Sequence, residues 1–399
     1  MLPEGWTRTT LGNIAQISSG GTPDRKKGAY WNGDIAWVTT GEIRFNTIMD
    51  TAEKITAEGL RNSSAKLFPA GTLLMAMYGQ GKTRGQVAKL GIEAATNQNS
   101  AAILLHKDQD PDFYFHYLAS KYEDIREFGN SGGVSHLNAG LLKQIEVPCA
   151  PYAEQRKIGE MLTLWEEAIN TIKKLVANSR KQKDVLTSLL VTGKRRLRTD
   201  KDWQRRSLKE LIVESRLLGA KGDLAKKITV KLYGKGVLGK AERRAGSEAT
   251  QYYRRRAGQF IYSKLDFLNG AFGIIPAQLD GFESTLDLPA FDFLAGVDPR
   301  WFLYYVSRED FYQGQVGLAN GGRKARRVNP SDLLQVAIDV PDLPEQQAIA
   351  DVIDVAAQEE QKWAEMLAAL IAQKNGLMAV LLSGKRRVRL PATEEALSA

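Results

Sequence analysis

A chain of 399 residues has room for two or three domains with real cores, and its net charge of +9 and pI near 9.3 lean toward a polyanionic partner. No run of about 18 apolar residues occurs and the opening MLPEGWTRTT has no secretory pattern, so neither a membrane span nor export is expected. Cys149 stands alone and His106, His116 and His136 are scattered, which excludes a disulfide framework and a zinc set and makes a reducing cytoplasm the expected compartment.

Residues 1–153 form a first globular module that is neutral overall, with 15 basic and 15 acidic residues. Any nucleic-acid contact there must be a local patch. Its apolar runs are short and β-rich (35–38, 72–77, 101–105), separated by glycine turns, which predicts an α+β fold with small mixed sheets. Arg25, Lys26 and Lys27 precede Tyr30 and Trp31, and Lys82 and Arg84 lie beside Tyr78. Cations on such loops neutralise phosphates, and Arg, Asn or Gln reach base edges in the major groove. Residues 76–83 (AMYGQGKT) also fit a relaxed phosphate-binding loop, but Arg84, Gly85 and Gly91 break the helix that should cradle the phosphates. A polar turn whose Lys82 and Arg84 touch nucleic acid is the preferred reading, with a nucleotide hydrolase using residues 79–83 as the alternative. Asp110-Pro111 marks a helix start, and a short strand ends at Val147-Pro148.

Residues 154–198 carry 11 basic and 5 acidic residues and an apolar seam at spacings of three and four. It runs Ile158, Leu162, Trp165, Ile169, Ile172, Val176, then Ser179 and Lys183, then Leu186 and Leu190. Such a heptad seam predicts a long helix of about 37 residues, about 55 Å, that pairs along one stripe. It closes on Gly193-Lys194-Arg195-Arg196, where glycine suits a C-cap and the cations suit the helix dipole.

Residues 199–344 repeat the plan. Asp202-Trp203 answers Gly5-Trp6, residues 256–261 answer 69–74, Asp298-Pro299 answers Asp110-Pro111, and Val340-Pro341 answers Val147-Pro148. The central parts do not match: neither 20–33 nor 79–99 has a partner in the second module. Its basic candidates are Lys226 and Lys227, Arg243 and Arg244, Arg254, Arg255 and Arg256 after Tyr252-Tyr253, Lys264, and the glycine-flanked run Arg323, Lys324, Arg326 and Arg327. Which of them touches a base is not given by the sequence. No nucleophile–base pair and no metal-ligand spacing stands out, so the chain reads as a binding subunit rather than an enzyme.

Residues 345–389 repeat 154–198 without a gap, with about thirteen identities in about forty-five positions where chance gives about three. The second seam runs Ile349, Ile353, Ala356, Glu360, Trp363, Leu367, Leu370, Lys374, Leu377 and Leu381, ending again in Gly-Lys-Arg-Arg. Lys183 and Lys374 fall at the same point of both seams, where a charge fixes register. Residues 390–399 are a tail. The expected architecture is two α+β modules joined by two long antiparallel helices in a coiled coil, a pseudo-two-fold repeat.

The chain resembles the specificity subunits of type I restriction–modification enzymes. The resemblance rests on residues 73–79 (LLMAMYG), 91–98 (GIEAATNQ), Gly132-Gly133 to Asn138, 147–155, 256–263 (RAGQFIYS), 340–347 and both Gly-Lys-Arg-Arg ends. It implies that each module is a target-recognition domain for one half of a bipartite, asymmetric site in double-stranded DNA. The helices then set the half-site spacing and dock two modification subunits, which bind S-adenosylmethionine and methylate adenine. The resemblance also allows restriction subunits using ATP and Mg, and implies that this chain itself carries no cofactor and no catalysis. A coiled-coil scaffold with no DNA role is the second alternative.

Overall fold

In a computed structural model the described residues are 2–79, 81–128, 136–198, 200–222, 224–241, 247–320 and 326–390. The chain divides into two compact units, residues 1–174 with 365–399, and residues 175–364.

In the first unit the run Leu73–Ala76 forms a strand buried along its whole length. It lies in a five-stranded sheet of order Ala15–Ser19, Ser100–Leu105, Leu73–Ala76, Val87–Leu90, Thr47–Ile48. Successive side chains alternate between two cores, as the pleat requires. Leu73 and Met75 join a cluster with Phe113, Leu118, Ile158 and Leu162, while Leu74 and Ala76 join one with Val38, Phe68 and Ala94. The second cluster belongs to a four-stranded sheet of order Glu53–Ile55, Trp31–Val38, Ala94–Thr96, Leu67–Phe68. Burial on both faces explains why the strand reads as a continuous apolar run.

The second unit repeats the first sheet. Ile212–Ser215, Ala290–Phe293, Phe260–Tyr262 and Phe272–Ile274 lie in the same order as the first four strands of the first unit's sheet, without its edge strand. Phe260 and Tyr262 face one core with Phe302 and Ile349, and Ile261 faces another with Ile228 and Val237. The parts without sequence match therefore hang from matching strands. Beyond this sheet the unit carries a three-stranded sheet and two hairpins, Ile228–Val230 with Val237–Gly239 and Ala319–Asn320 with Arg327–Val328.

The long helices are Tyr152–Val191 and Leu343–Leu381, of 40 and 39 residues. Each starts before the Glu-Gln pair, which sits in its first turn. Both run through the two compact units, because each half packs on the module beside it. In the first unit Ile158 and Leu162 share a core with Leu381 and Leu382; in the second Leu190 and Val191 share one with Ile349 and Ile353. Early residues of one helix meet late residues of the other, so the pairing is antiparallel in each unit. Every seam position is buried or half-buried, whereas Leu164, Val185, Val355 and Met366, off the seam, are exposed. The seam lysines are neutralised across it, Lys183 by Glu360 and Lys374 by Glu166.

Leu343–Leu381 is, among the described residues, a helix long and apolar enough to cross a bilayer by length and composition alone. Charges interrupt it, so it holds no unbroken apolar run. Its ends place Ile349, Ile353 and Leu381 in the module cores, while Val355 and Met366 between them are exposed.

Candidate nucleic-acid interface

The best-built part of the molecule is the junction of module and helix, made twice from the repeated motifs. Gly193 and Gly384 both adopt φ +69 and cap the two helices, as expected. The cations beyond them do more than meet a dipole. Arg196 donates from Nε to Glu345 Oε1 at 2.9 Å and from its terminal nitrogen to Oε2 at 2.8 Å. The equivalent Arg387 holds Glu154 through Nε at 3.2 Å and a second, shorter bond. Each carboxylate also accepts an indole N–H from the residue that opens its module, Trp203 at 2.8 Å and Trp6 at 3.3 Å. Burial alone pushes the Glu345 carboxyl up, but the bonds from Arg196, Trp203 and the Arg198 backbone outweigh it and hold it below its ordinary value.

The next residue completes the junction. Gln155 accepts from the Asp110 backbone at 2.9 Å and donates to the Ala150 carbonyl at 2.8 Å; Gln346 does the same with Asp298 at 2.8 Å and Pro341 at 2.9 Å. Asp110 and Asp298 in turn cap the helices Pro111–Ser120 and Pro299–Val306. One turn on, the His116 ring pairs with Thr163 at 3.2 Å, where the second unit has Tyr304 donating to Asp354. Burial, with smaller contributions from Lys374 and Lys89, lowers His116 to about 3, so the ring is neutral. Glu-Gln and Gly-Lys-Arg-Arg are thus two halves of one fastening.

The basic candidates divide into outward and inward groups. In the first module Lys26 and Lys82 are exposed. Arg25 is exposed but paired with Glu53 and stacked over Trp31 at 3.9 Å, and Lys27 donates to the Tyr30 hydroxyl at 3.2 Å. Tyr78, 41% exposed, stacks on His136 with centroids 4.9 Å apart and planes 10° from parallel. Arg84 is buried at 8% exposure and donates to the Arg126 carbonyl, so the expectation of a phosphate contact there is corrected: it holds the loop. Tyr122 and Arg126, not singled out from sequence, bind the Lys82 and Gly81 carbonyls and aim that loop.

This loop also decides the nucleotide-binding alternative. Residues 79–83 connect the antiparallel strands Leu73–Ala76 and Val87–Leu90, and no helix follows. A phosphate-binding loop needs a helix N-terminus at that point.

In the second module Lys226, Arg254, Arg326 and Arg327 are exposed, with Arg327 3.7 Å from Asp287, and Lys264 is half-buried. Two expectations are corrected here. Lys227 is buried at 5% beside the Tyr252 ring. Arg255 is fully buried and donates to Ser284 Oγ at 2.7 Å, the Ser215 carbonyl at 2.7 Å and the Leu288 carbonyl at 3.3 Å. Burial lowers its guanidinium to about 10. Two strands and the turn at Leu288 supply those acceptors, which is why an exposed-looking Arg-Arg-Arg run has its middle member turned inward. Arg256 closes on Asp292 at 2.8 Å. Arg323, Lys324, Arg243 and Arg244 lie outside the described residues. Among the described residues no group of three or more His, Cys, Asp or Glu could hold a metal ion.

Comparison with known proteins agrees with this geometry. Residues 3–178 match the family model of the type I restriction modification DNA specificity domain. The chain is similar to the type I restriction enzyme MjaIX specificity subunit of Methanocaldococcus jannaschii, 26% identical over 194 residues, covering 47% of this chain and 42% of that one. It is also similar to the EcoR124I/EcoR124II specificity subunit of Escherichia coli, 29% identical over 170 residues and 41% of each chain. The match thus spans about two fifths of the length of these curated relatives. In fold it is similar to the type I restriction–modification S subunit from M. genitalium, with a TM-score of 0.57, 14% identity and 97% of each chain covered.

Proposed function

We propose that the chain is the DNA-recognition subunit of a type I restriction–modification complex, with residues 1–153 and 199–344 as two readers of a bipartite site; the match of residues 3–178 to the specificity-domain family model supports this reading. The observation that carries this is the repeated sheet order under unlike loops. One scaffold made twice, with Lys26, Tyr78 and Lys82 on one copy and Lys226, Arg254, Arg326 and Arg327 on the other, suits two half-sites of different sequence. The helices at 154–198 and 345–389 set the spacer between half-sites. Their exposed apolar residues off the seam dock two modification subunits, which supply S-adenosylmethionine and adenine methylation; restriction subunits add ATP-driven cleavage. The chain itself does no chemistry, and it works in the cytoplasm.

Enrichment of random duplexes by the assembled methyltransferase tests this. Exchange of residues 199–344 for another module changes one half-site only, and deletion of one heptad from both helices changes the spacer and neither half-site. An assembly that enriches no motif is a scaffold, and the proposal fails.

A further inference from the structure

We propose that the tip of the hairpin Ile228–Val230/Val237–Gly239 is a wedge that enters a base step of duplex DNA, with Tyr233 and Leu232 between the bases and Lys231 and Lys235 on the flanking phosphates. This rests on the reading of residues 199–344 as a DNA reader, and it assigns to that module an element outside its basic clusters.

The first observation is conformational. Tyr233 sits at φ +58, in the left-handed region that bulky side chains rarely adopt, although Gly234 and Gly236 stand beside it. An ordinary tight turn puts glycine or asparagine there. The strained residue is held in place from outside: Tyr233 N–H donates to the Asn269 carbonyl and Gly234 N–H to the Gly270 carbonyl, both at 2.9 Å. Phe267, in the same turn as Asn269, is buried in the module core. Gly270 allows the approach, since a Cβ on it would meet the Tyr233 backbone at 3.3 Å. Ile228 at the hairpin's base and Val237 next to its turn are both core residues. Strain that the surroundings over-determine marks a working segment.

The second observation is chemical. This rigid tip presents Tyr233 at 68% exposure and Leu232 at 37%. Lys231 and Lys235 are exposed beside it, and neither makes an ion pair among the described residues. Apolar faces flanked by free ammonium groups match stacked bases between phosphates. Wedges of this composition unstack a step and bend the duplex.

The test uses the full chain assembled with its modification subunits and the duplex that the assembly selects. Affinity is read at several salt concentrations, and bending by energy transfer between dyes at the duplex ends. Tyr233→Gly relieves the strained φ, so the chain melts no lower than the native one, yet affinity falls about tenfold and the bend shrinks. Tyr233→Phe keeps both. Replacing Lys231 and Lys235 by Ala reduces the slope of log affinity against log salt by about 1.8 and leaves the bend. Native affinity and bend in Tyr233→Gly overturn the wedge while the DNA reading stands. A native assembly that selects no site overturns both.

Discussion

In the first module the shared sheet carries an extra edge strand, Thr47–Ile48, and an alanine-rich core joins it to a second four-stranded sheet. In the second the equivalent strands are aromatic, with Phe260, Tyr262, Phe272 and Phe291 packed together, and three smaller sheets replace the single one. What is common to both is the face that meets the helices, together with the carboxylate, glutamine and capping aspartate of the junction. Fixed partners constrain that face. Among the described residues, strands and loops on the other side pack on no long helix, and they differ in length, composition and pairing.

The junctions offer the largest test of this contrast. Glu345→Ala removes the acceptor of Arg196, Trp203 and the Arg198 backbone, and costs about 3 kcal/mol of stability. Glu154→Ala removes fewer bonds, with a longer one from the indole and a more exposed arginine, and costs about 2 kcal/mol. Denaturant titration of the two variants should rank them in that order; equal and negligible losses would mean the fastening contributes nothing.

A second difference is titratable. His116 is neutral when folded and its ordinary value is 6.5, so the unfolded chain takes up a proton that the folded chain refuses. Its contribution is full above about pH 6.5 and is lost as pH falls, by about 2 kcal/mol at pH 5. His116→Gln flattens that slope in melts at pH 7.5 and 5. Tyr304, its counterpart, has no such slope to lose.

The smallest effect separates outward from inward cations in the first module. Lys82→Ala leaves stability alone and lowers DNA affinity a few-fold, with a salt slope shallower by about 0.9. Arg84→Ala lowers the melting temperature first, because its guanidinium is a buried brace. If the two variants behave alike, burial does not sort these residues.

The helices were legible because their information is local and periodic. A spacing of three and four placed each seam residue on a buried or half-buried stripe, and the two glycines announced their caps. Helix starts at Asp110 and Asp298 were visible for the same reason. The reading surface was not. Arg254 and Arg255 are the same residue type side by side, and only Ser215, Ser284 and Leu288, 29 to 40 positions away in sequence, turn one of them inward. Tyr233 was passed over because a backbone angle leaves no mark in composition beyond the nearby glycines. The repeated Glu-Gln was noticed, but its arginine lies 149 residues away in one junction and 233 in the other.

Helix ends ordinarily fray, since their last turns lack partners and open with little free energy. Here the carboxylate in the first turn of one helix holds the chain just past the last turn of the other, and the same two oxygens hold the tryptophan that begins a module. Unzipping a terminus therefore means unseating a second helix and a globular domain in the same step. The tips of these helices open only as part of a larger cooperative unit, and the weakest points of each helix are moved away from its ends.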